Sequence, residues 1–104
     1  HANHVAGLRL DFDRPETPLL ASEFCGTSIS SHGGSQQRLN EALAHNPHFL
    51  LSRSDQRGYI RFDLQAGLMQ AELRAVVDAW DAQSAVQTQA RFVVEAGKAG
   101  PQAA

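Results

Sequence analysis

Five histidines, His1, His4, His32, His45 and His48, have the widest chemical reach in this 104-residue chain, because imidazole both ligates metals and moves protons near neutral pH. His1 and His4 are separated by two residues, a spacing at the mouth of a strand that can bind a metal. His45 falls at a helix end, where a cation complements the helix dipole. His48 follows Pro47 at the start of an apolar segment and suits packing or a local hydrogen bond. A second group is Gly26-Thr27-Ser28-Ile29-Ser30-Ser31-His32-Gly33-Gly34, entered through Glu23-Phe24-Cys25. Its hydroxyls can donate or accept, and Gly26 lets the backbone turn or approach a ligand closely. This stretch is either a polar loop at a site or a strand end with ordinary turn chemistry.

Self-contained motifs are missing. The chain has no HExxH, no glycine-rich phosphate loop with lysine and no paired cysteines, which excludes the standard metalloprotease, P-loop and zinc-finger signatures. Gly26-Thr27-Ser28 lacks a glycine two residues after the serine, so it is not a serine-hydrolase elbow. The single cysteine, Cys25, allows no internal disulfide and reads as a small apolar residue on a buried strand.

The elements that must hold these residues follow from hydrophobic periodicity. Leu8, Leu10 and Phe12 alternate with Arg9, Asp11 and Asp13, the period-two pattern of a half-buried strand. Asp13 to Pro18 turns the chain into a second strand from Leu19 to Thr27, making a hairpin. Ser35 caps a short amphipathic helix carrying Leu39, Ala42 and Leu43 and reaching about His45, which Asn46-Pro47 ends. A brief apolar piece spans His48 to Leu51. Tyr59 to Leu64 alternates again. Residues Leu68 to Asp78 are good helix formers, yet Met69, Ala71, Leu73, Ala75 and Val77 alternate with polar neighbours, and the pattern favours a strand over helix propensity. Gln65-Ala66-Gly67 is the turn of a second hairpin. Asp78 to Ala85 is a polar connection, and Val86 to Val94 forms a last strand. Residues 97–104 have nothing to bury and are expected to be a loose tail.

The fold class expected is therefore α+β, mostly antiparallel β with one short helix, with about six strands over residues 1–96. At this length the chain supports one core. Nine basic and 11 acidic residues give a formal charge of −2, which leaves no electrostatic footprint for nucleic acid, and no segment approaches the length of a transmembrane helix. Strand count and charge balance alone also suit a noncatalytic β-sandwich interaction module.

Several stretches, in order, carry a family resemblance: His1-Ala2-Asn3, Glu23-Phe24 with Gly26-Thr27-Ser28-Ile29-Ser30-Ser31, Asn46-Pro47-His48, Arg57-Gly58-Tyr59, Ala71 to Val77, and Phe92-Val93-Val94-Glu95. Together they resemble the C-terminal part of the PhoD-like alkaline phosphatases, secreted metal-dependent phosphomonoesterases and phosphodiesterases. The phrase Glu-Phe-x-Gly-Thr-Ser-Ile is the most specific to that family. The resemblance implies a C-terminal portion of a metallophosphoesterase-type layered β-sandwich that begins inside a Gly-Asp-x-His motif. The partner would then be the missing N-terminal part of the same domain.

By the same resemblance, His1 is a metal ligand, and Asn3, His4, Gly26, Thr27 and Ser28 line the active site. Iron and calcium are the implied cofactors, and a phosphate monoester or diester is the implied substrate. Metal would activate a hydroxide for in-line attack. The implied location is secreted or periplasmic, and the chain alone is expected to be inactive. Three positions depart from the family pattern. His4 stands where tryptophan is usual, Cys25 stands where valine is usual, and His32-Gly33-Gly34 varies a glycine-rich loop.

Overall fold

A computed structural model describes residues 1–104. Seven strands and one helix follow in the order β1 (Asn3–Arg9), β2 (Leu19–Cys25), α1 (Gln36–Leu43), β3 (Phe49–Arg53), β4 (Arg57–Gln65), β5 (Leu68–Val76), β6 (Val86–Glu95) and β7 (Gln102–Ala103). They form two antiparallel sheets, one ordered β2-β1-β3 and the other β4-β5-β6-β7. The class is α+β, mostly antiparallel with one short helix.

The sheets face one another through a small core. Val5, Ala71, Leu73 and Phe92 are buried at its centre, with Phe24, Leu51, Ile60 and Ala90 packed around them. Val5 pairs across the first sheet with Phe24 and Leu51. Ile60 pairs with Leu73, and Ala71 with Phe92, across the second. Cross-strand partners share a face, so these registers gather the apolar side chains of both sheets into one layer. The Phe24 ring meets Phe62 edge-on at 5.5 Å between centroids and Phe92 at 6.4 Å.

On its outer face the second sheet carries a charge cluster. Glu72 is opposite Arg61 on β4 and Arg91 on β6. Its carboxylate accepts from Thr88 at 2.6 Å, Arg91 at 2.9 Å and Arg61 at 2.6 Å, with Arg74 at 3.3 Å. The Thr88 hydroxyl first, then the neighbouring guanidiniums, hold the Glu72 carboxyl below the usual carboxylate range.

The strand expected from Leu8 to Asp13 lies earlier, at Asn3–Arg9. As the middle strand of its sheet, β1 has Val5 and Ala6 on opposite faces and both fully buried, so its core residues do not alternate with polar ones. Leu10 and Phe12, which drew the pattern forward, are exposed. β2 is an edge strand with Leu20 and Cys25 exposed, whereas the sequence suggested a buried one. The helix stops at Leu43 instead of His45, where the Asn46 side-chain amide donates to the Ala42 carbonyl at 2.7 Å just before Pro47. Residues 97–104, expected to be a loose tail, carry β7, which pairs with Phe92 and Val93, and Gly100 and Pro101 before it are buried.

Candidate functional site

His1 lies where β1 enters its sheet, and the loop after β2 wraps around it. Nδ1 of His1 is 3.0 Å from the His32 carbonyl oxygen. A carbonyl only accepts, so Nδ1 carries a proton, and in the neutral ring the lone pair is then on Nε2. A ring held in this way by a backbone carbonyl has its tautomer and orientation set for a metal on the other nitrogen.

Arg57, at the start of β4, fixes the loop. It is only 7% exposed. Its guanidinium donates to Ser28 Oγ at 2.8 Å, the Ser31 carbonyl at 2.6 Å, the Ser54 carbonyl at 2.6 Å and the His1 carbonyl at 3.3 Å. The planar fork suits several acceptors at once. Gly33 sits inside this clamp. A Cβ there would lie 2.1 Å from the Ser54 carbonyl oxygen and 2.6 Å from Arg57 Nη2, so only glycine lets the loop close.

The other sequence candidates are placed unevenly. Asn3 is fully buried between the sheets. Its Oδ1 accepts from the Thr27 amide at 2.9 Å, and its Nδ2 donates to Gln89 Oε1 at 3.0 Å. Gln89 then donates to Gln56 Oε1 at 3.1 Å. Thr27 is thus tied to the end of β1 through its backbone. Ser28 Oγ donates to the Ser31 carbonyl at 2.7 Å and accepts from Arg57, so its hydroxyl is spent on the loop itself. A Cβ on Gly26 would meet Ile60 at an ordinary 3.7 Å. The glycine required by neighbouring protein atoms is Gly33.

His4 points to the other face of the first sheet from Asn3 and Val5. Its Nδ1 is 2.5 Å from Ser52 Oγ, and its ring packs on Phe49 with centroids 5.3 Å apart. Burial lowers its pKa, against the opposing pull of the Glu23 carboxylate. His1 and His4 therefore serve separate networks. His45 lies just beyond α1, its amide donating to the Ala42 carbonyl at 3.1 Å, and the His48 ring packs at a tilt against Phe12 and Phe49. Nowhere do three or more His, Cys, Asp or Glu side chains come together as a metal-binding group.

Beside the loop opens a cleft of ≈ 250 Å³ lined by Ser30, His32, Ser54, Asp55, Arg57 and Trp80, among others. The His32 and Trp80 rings, both on its lining, pack on each other with centroids 5.4 Å apart and planes tilted by 41°. At its edge Arg53 holds Asp55 through a two-point ion pair of 2.7 and 2.5 Å, which keeps that carboxyl below its ordinary pKa. Neither Arg57 nor Trp80 stood out as a site residue by spacing, because the residues they meet lie far away in sequence.

Residues 1–73 match the family model of the PhoD-like phosphatases. The chain belongs to the PhoD-like phosphatase family. Over 103 residues it is 31% identical to alkaline phosphatase D of Bacillus subtilis (strain 168), a match covering 96% of the chain and 18% of that protein. The solved structure of a PhoD superimposes on 99% of the chain with a TM-score of 0.86 at 27% identity, covering 20% of the solved chain. The chain thus spans about a fifth of the length of these PhoD-like relatives.

Proposed function

We propose that the chain is part of a metal-dependent phosphoric ester hydrolase and contributes His1 as one ligand of its metal centre. The substrate is a phosphate monoester or diester, and iron with calcium is the metal set. Family membership supports the ester-hydrolase reading. The observation that carries the ligand role is the hold on Nδ1 of His1 by the His32 carbonyl, which leaves Nε2 free in a fixed orientation.

Of the residues present, His1 is the one assigned to metal, since three or more His, Cys, Asp or Glu side chains gather nowhere in the chain. The remaining ligands come from outside the chain. When bound, the metals polarise phosphoryl oxygens and supply a hydroxide nucleophile. The chain's own part is to orient His1. Arg57 and Gly33 lock the 28–34 loop on the His1 backbone, and the His32 carbonyl sets the tautomer. Asn3 ties Thr27 to β1 through its amide and Ser28 joins the Arg57 clamp, whereas His4 serves a separate network with Ser52. A secreted or periplasmic location accompanies this reading. The alternative, a noncatalytic β-sandwich interaction module, rests on strand count and charge balance and gives no role to the orientation of His1.

The test is His1→Ala at this position of the full-length parent, with bound iron and calcium measured by elemental analysis beside the rate of phosphate release. Metal content and rate are expected to fall together. A variant with unchanged metal content would remove His1 from the metal centre.

A further inference from the structure

Trp80 is the only tryptophan of the chain and is 74% exposed. A lone exposed apolar side chain is ordinary. This one, however, is held in place. Its amide donates to Asp78 Oδ1 at 2.9 Å, the Asp78 amide donates to Ser84 Oγ at 3.0 Å, and the Ser84 amide donates to the Asp81 carbonyl at 3.0 Å. The braced turn fixes the backbone that carries the indole, and the ring itself packs only on His32. The indole leans on His32, the residue whose carbonyl orients His1, and both rings border the ≈ 250 Å³ cleft.

The cleft lies just below the ≈ 300–1,000 Å³ range of pockets that take drug-sized ligands, so it suits about one ring. Its charged groups are already engaged. Asp55 is paired with Arg53, Asp78 accepts from the Trp80 amide, and Arg57 is occupied by the loop carbonyls. Carboxylates on this side turn a phosphate away, whereas a neutral flat ring meets the aromatic pair without an unpaired charge.

We infer that the His32–Trp80 cleft is a subsite for a flat ring carried by the leaving group of a phosphate ester, which stacks on Trp80 while the phosphate lies toward His1. This rests on the ester-hydrolase reading above and adds a substrate class to it: aryl or nucleoside esters over aliphatic ones. Stacking of one ring on an aromatic side chain is sequence-tolerant and sufficient for a preference of about tenfold.

Two measurements test it independently. In the 104-residue chain, Trp80 fluorescence is titrated with phenyl phosphate, uridine 5′-monophosphate and glycerol phosphate, with no metal or turnover required. Saturable quenching by either ring-bearing ester and none by glycerol phosphate is expected. The ester that saturates at lower concentration distinguishes an aryl from a nucleoside ligand. Equal, non-saturating quenching by all three overturns the subsite, whether or not the parent is a phosphatase.

In the full-length parent, the ratio of kcat/KM for phenyl phosphate to that for glycerol phosphate is expected to fall about tenfold in Trp80→Ala and to recover in Trp80→Phe. A ratio that moves less than about twofold refutes the subsite even if turnover is robust. A parent that hydrolyses neither of these monoesters but cleaves diesters removes the monoester half of the hydrolase reading, and one that cleaves no phosphate ester refutes it; in both cases the fluorescence result decides the subsite.

Discussion

The guanidinium of Arg57 reaches acceptors on residues 1, 28, 31 and 54, which belong to the chain start, the long loop and the turn after β3. Truncating it removes the donor from one buried acceptor, the Ser54 carbonyl, and from three part-buried ones, and a buried acceptor left unpaired costs about 1–3 kcal/mol. Arg57→Ala is therefore expected to destabilise the fold by at least about 2 kcal/mol, read as a lower denaturation midpoint at unchanged m-value. Arg57→Lys should recover only part, since one ammonium cannot replace a planar fork. A midpoint within experimental error of the parent chain would show that the clamp contributes nothing. Little of this was legible in the sequence. Arg57-Gly58-Tyr59 identified the family, but an arginine beside a glycine reads locally as a solvated turn, and the four acceptors share no spacing. Asn3 was legible as a site residue only by resemblance, and the structure uses it as a buried bridge to Thr27.

Among the elements, β5 shows why pattern outweighed propensity. Its residues favour a helix one by one, but alternation puts Ala71, Leu73 and Ala75 into the core and sends Glu72 and Arg74 to the outer face, where Arg61, Arg91 and Thr88 meet Glu72. A helix would have scattered the apolar side chains around its circumference. The same logic failed for β1, because a strand covered on both faces does not alternate, and for β7, because two residues are too short to show a period. Burial sorts the strand residues into those that carry stability and those that do not. Leu73 is fully buried, and Leu73→Ala should lower unfolding free energy by about 2–5 kcal/mol through lost transfer energy and a cavity. Leu64, on the neighbouring strand at 76% exposure, should cost less than about 0.5 kcal/mol when changed to alanine. Equal losses at the two positions would mean that the sheets do not pack as described.

At the scale of the whole molecule, the fold is a slab of 44 × 36 × 17 Å, two sheets thick, with a radius of gyration of 14.7 Å against the about 13 Å expected for a compact domain of this length. Only 15 of 104 residues are buried, so most of what the chain builds is surface. The candidate site lies on that surface. His1 is exposed, its support comes from loops, and no three metal-ligating side chains converge anywhere in the slab. Activating a hydroxide and stabilising the charge on a transferring phosphoryl group both need metals held by several protein ligands with a position left open for water or substrate. One oriented imidazole cannot supply that set. The 104-residue chain, confirmed as folded by circular dichroism and supplied with iron and calcium, is therefore expected to hydrolyse a chromogenic phosphodiester only at the metal-plus-buffer background. Turnover clearly above that background, abolished by His1→Ala, would mean that the chain assembles a working centre alone. It would also overturn the view that His1 contributes a single ligand to a site completed from outside.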